Sequence, residues 1–158
     1  MLYAILKTLH LLSTIVWVGG MVFAHFFLRP ALGLLEPGAR VRLMHAVLGR
    51  FFSAVLAAAA VVFVTGLWMI GRVAKQAVQA GGSFNMPIEW TIMATLGIVM
   101  MLIFGHIRFA LYPRLGRTVQ AADWSAGAAV LTKIRVMVAL NLGLGVLTVL
   151  VIRLGVPS

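Results

Sequence analysis

Four histidines lie in or beside stretches too apolar for ordinary solvation: His10, His25, His45 and His106. Ionisable groups at membrane depth are costly, so each is a candidate for chemistry rather than decoration. An imidazole can ligate haem iron, bind copper, or pass a proton. The chain has no cysteine, which excludes thiolate metal sites, iron–sulfur clusters and disulfides. Its three carboxylates, Glu36, Glu89 and Asp123, fall at the edges of the apolar stretches. No pair of acids can therefore meet in the interior, and hydrolytic acid–base catalysis is the least favoured chemistry.

The elements that must position these histidines follow from composition. The chain has 158 residues, 63% of them hydrophobic and 10% charged, with mean hydropathy +1.09. A soluble domain carries about 25% charged residues, so this chain belongs in a bilayer. Uncharged runs cover residues 8–28, 51–71, 90–107 and 136–152. Each approaches the roughly 20 apolar residues that a spanning helix needs. The first run is too long for a cleavable signal peptide and lacks a small-residue cleavage site. The spacing predicts helices over about residues 2–28, 41–71, 88–111 and 128–154. Arg29-Pro30, Pro37-Gly38, the 72–88 loop and Pro113 should end or separate them, and Asp123-Trp124-Ser125 should start the last. No repeat of fixed period interrupts the pattern. The expected fold is all-α: one integral-membrane domain over 1–158, a four-helix bundle running up-down-up-down.

The net charge of +10 reads as basic residues at membrane edges rather than as a nucleic-acid surface. Four spans put both termini and the 72–89 loop on one side, with Lys7, Arg72, Lys75 and Arg153. The other nine basic residues, from Arg29 to Arg135, fall on the opposite side. The positive-inside rule then places that side in the cytoplasm and the termini outside, in the periplasm of a bacterial inner membrane.

At about 100° per residue, Lys7, His10, Thr14, Trp17, Met21 and His25 fall on one stripe of the first helix, which should face the bundle interior. His106 shares a face with Thr95, Val99 and Leu102, and His45 with Arg42, Gly49, Phe52 and Phe63. Asn141 aligns with Met137, Gly145 and Thr148. One polar seam could thus run through all four helices. Gly19-Gly20, Gly143 and Gly145 are expected to permit close helix packing, and Thr65-Gly66 is readable as a packing notch. His45, beside Arg42, is readable as an interfacial residue.

Two cofactor chemistries fit this set. A b-type haem would take His25 and His106 as axial ligands, with His45 in reserve and Arg29, Arg42 and Arg108 for its propionates. It would move electrons between a quinone or other reductant and a respiratory partner, with His10 as the outer residue. Copper would use His10, Met21 and His25, with His106 and His45 as further donors. A third reading is a non-catalytic membrane subunit. Beyond lipid, the composition is also compatible with a homodimer.

The opening LKTLHLLSTIVWVGGMVFAHFFLRP, with Lys7, His10, Trp17, Gly19 and Gly20, resembles the CopD family of bacterial inner-membrane proteins. The TGLW stretch at 65–68 and RVMVALNLGLG in the last helix fit the same family. More distantly, the first helix is similar to HemJ-type protoporphyrinogen oxidases. The first resemblance implies copper uptake or resistance. The second implies haem b and electron transfer from a porphyrinogen, with His10 matching the functional first-helix histidine of that type. The third-helix lysine of that type would fall near Thr95, and this sequence has no lysine there.

Overall fold

The computed structural model describes residues 1–155 and is almost wholly helical. Four helices are long and apolar enough to cross a membrane: α1 (Leu2–Leu34), α2 (Pro37–Gln79), α3 (Ile88–Gln120) and α4 (Trp124–Leu154). In hydrocarbon every backbone N–H and C=O must be paired within the segment, so an uninterrupted helix is what such a sequence can form. The helices alternate in direction, and the short turn after α1 and that after α3 share one end of the bundle. Because most of the basic residues gather there, it is the arginine-rich end; the other is the termini end.

Helix boundaries differ from those expected at each proline. Pro30 does not end α1. Residues Phe23–Leu28 widen into a π turn, and the Arg29 N–H reaches back five residues to the Ala24 carbonyl. Proline lacks an N–H, and its ring crowds the carbonyl four residues earlier. Widening the turn relieves that conflict without breaking the helix. The same device recurs in α3, where Ile107–Leu111 form a π turn ahead of Pro113 and the Tyr112 N–H bonds to the Ile107 carbonyl. Pro37 opens α2 instead of breaking it, since the first turn leaves its N–H position without a partner anyway.

Helix α2 also runs past Arg72 and Lys75, which the sequence reading placed in a loop. Its 43 residues span about 64 Å, far more than the roughly 30 Å hydrocarbon core. It stops where Gly81 takes φ +79° and the Gly81 and Gly82 N–H groups bond to the Val78 and Ala77 carbonyls, a Schellman close. Helix α3 closes with the same pattern, but the left-handed residue is Ala122, at φ +52°. Helix α4 begins at the expected cap: the Asp123 carboxylate accepts from the Ala126 N–H at 2.9 Å.

Packing is chiefly pairwise, α1 on α2 and α3 on α4, with α4 also touching α1 and α2, and α2 touching the end of α3. The core follows helical spacing: Val41, Leu48, Phe52 and Val55 on α2, and Met100, Phe104, Ile107 and Leu111 on α3. Trp17 and Met21 come from α1, Ile134 and Val138 from α4. Of the four glycines expected to let helices approach, two do so. A methyl group at Gly20 would collide with the Phe51 ring, and one at Gly145 would press on Val18 and Met100. Gly19 and Gly143 face open space, so only half of the expected packing glycines serve that role.

Candidate functional site

The α1 stripe faces inward as expected. Trp17 and Met21 are buried, His10, Thr14 and His25 are half-buried, and Lys7 alone is exposed at the termini end. His10 has a built seat on α2. Its Nδ1 lies 3.0 Å from Thr65 Oγ1, and a methyl group on Gly66 would meet the ring at 3.4 Å. Thr65, 4% exposed, has one hydroxyl hydrogen, and the Val61 carbonyl 2.6 Å away can only accept it. The hydroxyl oxygen is then left to accept from His10, so Nδ1 carries the proton and donates. The Nε2 lone pair is consequently left for another partner. Sequence reasoning took Thr65-Gly66 for a notch and missed this role. No local signal in the sequence pointed to it, because Thr65 is 55 residues away from His10.

At the arginine-rich end the histidines part company. His25 sits within the π turn of α1, its ring edge-on to Phe26 at 4.9 Å. It lines a depression of about 440 Å³ between α1, α2 and α4, with Arg29, Arg40 and Arg135. Arg40 is engaged: its guanidinium donates to the Leu32, Gly33 and Leu35 carbonyls at 2.9–3.2 Å, satisfying the groups that the end of α1 leaves unpaired.

His45 is not merely interfacial. Its ring stacks on Tyr112 at 4.9 Å and 9°, the Tyr112 hydroxyl donates to the His45 carbonyl at 3.2 Å, and its Nε2 lies against Gly116. Gly49 leaves the space that the Tyr112 hydroxyl fills. Arg108 lies over the same tyrosine, 5.4 Å from the ring centroid, with its Nε buried and unpaired. Edge-to-face contacts continue inward from Tyr112 through Phe52 and Phe104 to Trp17. Arg42 is exposed and covers Trp124 at 5.4 Å.

His106 corrects the sequence reading. It is exposed, and so is the face it shares with Thr95, Val99 and Leu102. The inward face of α3 is that of Met100 and Phe104. His106 borders a shallow hollow with Lys133, Val136 and Met137, around α4 from the His25 depression, with Thr132 on the rim between the two. The bundle therefore does not bring His25 and His106 together as an axial pair, and the haem reading loses its ligands. Arg29, Arg42 and Arg108, expected together around the propionates, likewise serve three separate surroundings. Phe63 too is exposed, so the face read for His45 holds only as far as Phe52.

Among the described residues, the one fully buried polar side chain between the two ends is Asn141, 1% exposed, whose amide oxygen and nitrogen have no hydrogen-bond partner there. One turn further, Gly145 meets Met100. Among the described residues no group of three or more His, Asp or Glu side chains is close enough to hold a metal ion. His10 lies about 16 Å along α1 from Met21, and His25 one turn further, by the helical rise, so His10 cannot share an ion with the other two.

The model of one protein family, described as Copper resistance protein D, matches residues 45–154, more than half of the chain. The matched segment includes Thr65, His45, His106 and Asn141; His10, Met21 and His25 precede it. No curated protein and no solved structure matches.

Proposed function

The chain belongs to the copper resistance protein D family, and on that premise we propose that it is a multi-pass membrane protein that passes copper ions across the bacterial inner membrane. The observation that carries the proposal is the His10 seat. Thr65 holds the ring by Nδ1 and leaves Nε2, a good copper ligand, within the bundle near the termini end. Met21, 2% exposed, and half-buried His25 continue the same stripe toward the arginine-rich end. Soft thioether and imidazole donors, strung along one stripe with no more than two at one level, suit an ion in transit. A permanently held ion would need three or four donors around one point. With nine of the 13 basic residues at the arginine-rich end, that end is cytoplasmic and the termini are periplasmic. Copper is then the cargo, and His10 the first residue it meets in the bundle.

The test is copper accumulation in cells expressing the protein. His10→Ala and Met21→Ala should each bring accumulation down to the level of cells without the protein, while the variants still insert. Thr65→Val, which keeps the shape but removes the acceptor, should lower accumulation several-fold by freeing the ring to turn. Accumulation unaffected by all three changes would defeat the reading. Haem-linked electron transfer is the weaker reading, because it needs the His25–His106 pair.

A further inference from the structure

Helices α1 and α4 touch where Val18 meets Gly145 and part toward the arginine-rich end. The gap is the depression of about 440 Å³. Its floor is apolar, formed by Met44, Leu48 and Val138, and its rim carries His25, Arg29 and Arg135. Both arginines are exposed, and among the described residues neither makes a side-chain hydrogen bond like those of Arg40 to the end of α1. None of the three carboxylates in the chain lines the depression, and Asp123 is occupied in capping α4. Two cations facing one another across an apolar trough, without a carboxylate beside them, suit an anion that is also greasy. The depth also agrees: Arg29 and Arg135 border the uncharged runs 8–28 and 136–152, where the hydrocarbon gives way to phospholipid headgroups, and the apolar floor runs from there toward the bilayer interior. Basic clefts between spanning helices recognise lipid phosphates in this way.

We propose that this depression is a specific site for an anionic glycerophospholipid. The phosphate lies between Arg29 and Arg135, His25 offers a further N–H, and one acyl chain runs along Met44, Leu48 and Val138. The lipid then closes the gap between α1 and α4 that the protein leaves open. This site shares only His25 with the copper path, and its test changes Arg29 and Arg135 alone, so its failure and that of the copper reading are told apart.

The test uses the full-length protein in detergent, with native mass spectrometry and thermal unfolding read in parallel. Phosphatidylglycerol should remain bound and raise the unfolding midpoint, while phosphatidylcholine of the same chains and inorganic phosphate should do neither. Arg29→Gln with Arg135→Gln should weaken phosphatidylglycerol binding by roughly thirtyfold, as expected for two arginines near an anionic headgroup. The paired lysine variant, which keeps the charge and guards against a folding defect, should bind within about threefold of wild type, as should Arg42→Gln, whose side chain lies on Trp124 outside the depression. Equal effects of phosphatidylcholine would overturn the proposal, and so would full stabilisation by inorganic phosphate. Unchanged lipid retention in the glutamine pair would do the same, as would a bound haem that departs with these two arginines.

Discussion

The arginine-rich ends of α1 and α3 are built from nearly the same text and do different things. Phe23-Ala24-His25 is followed by Pro30-Ala31-Leu32-Gly33, and Phe104-Gly105-His106 by Pro113-Arg114-Leu115-Gly116. Each segment widens into a π turn ahead of its proline, and each buries its leucine, Leu32 at 4% and Leu115 at 0% exposure. The histidines diverge. Two more residues separate His106 from its proline than separate His25, which adds about 200° of rotation. His25 consequently faces the depression, and His106 the outside. In α3 the inward place goes to Tyr112, wedged between His45 and Arg108. One end is an open site and the other a filled joint.

Truncating the two leucines probes that contrast most strongly. Leu115→Ala empties the filled joint and should cost about 3 kcal/mol in detergent unfolding, while Leu32→Ala, already bordering the depression, should cost nearer to about 2 kcal/mol. Equal losses would mean that the α1 end is packed as tightly as the α3 end. His45→Ala removes the ring on which Tyr112 stacks and should cost about 1 kcal/mol in the same unfolding measurement. Ala122→Gly compares the two Schellman closes. Relief of the left-handed strain, less the added freedom of the unfolded chain, should stabilise by about 0.7 kcal/mol, raising the melting midpoint. Smallest of all, His106→Ala should change stability by no more than about 0.5 kcal/mol, because its side chain leaves the bundle. A loss as large as that of Leu115→Ala would place His106 inside and reopen its pairing with His25.

How much of this was readable beforehand depended on what each signal measures. The four spans were legible because uncharged length is what a bilayer selects. Their ends were not, since a charge marks the membrane surface rather than the end of a helix. Thus Arg72 lies well inside α2, and Pro30 and Pro113 lie inside α1 and α3. The α1 stripe was legible because Leu9, Leu12 and Ile15, all exposed, contrast with the polar residues opposite them. On α3 both faces are apolar, and in lipid the outer face has no reason to be otherwise. Thr95 was then the one polar guide near His106, and its hydroxyl is satisfied by the Thr91 carbonyl at 2.8 Å, so it can face lipid. Thr65 went unread as the seat of His10 because a contact across 55 residues leaves no trace in local spacing. Asn141 was placed correctly on an inward face, but the sequence held nothing to say that its amide would lack a partner.

Arg40 has a bearing on how the molecule is made. Its three hydrogen bonds join the start of α2 to the last carbonyls of α1, and Thr65 joins the other end of the same pair through His10. The first half of the chain thus has a clasp at each end before any residue of α3 has been synthesised. As the chain emerges from the ribosome, α1 and α2 can enter the bilayer as a closed hairpin, and the second hairpin can dock on a partner already in shape.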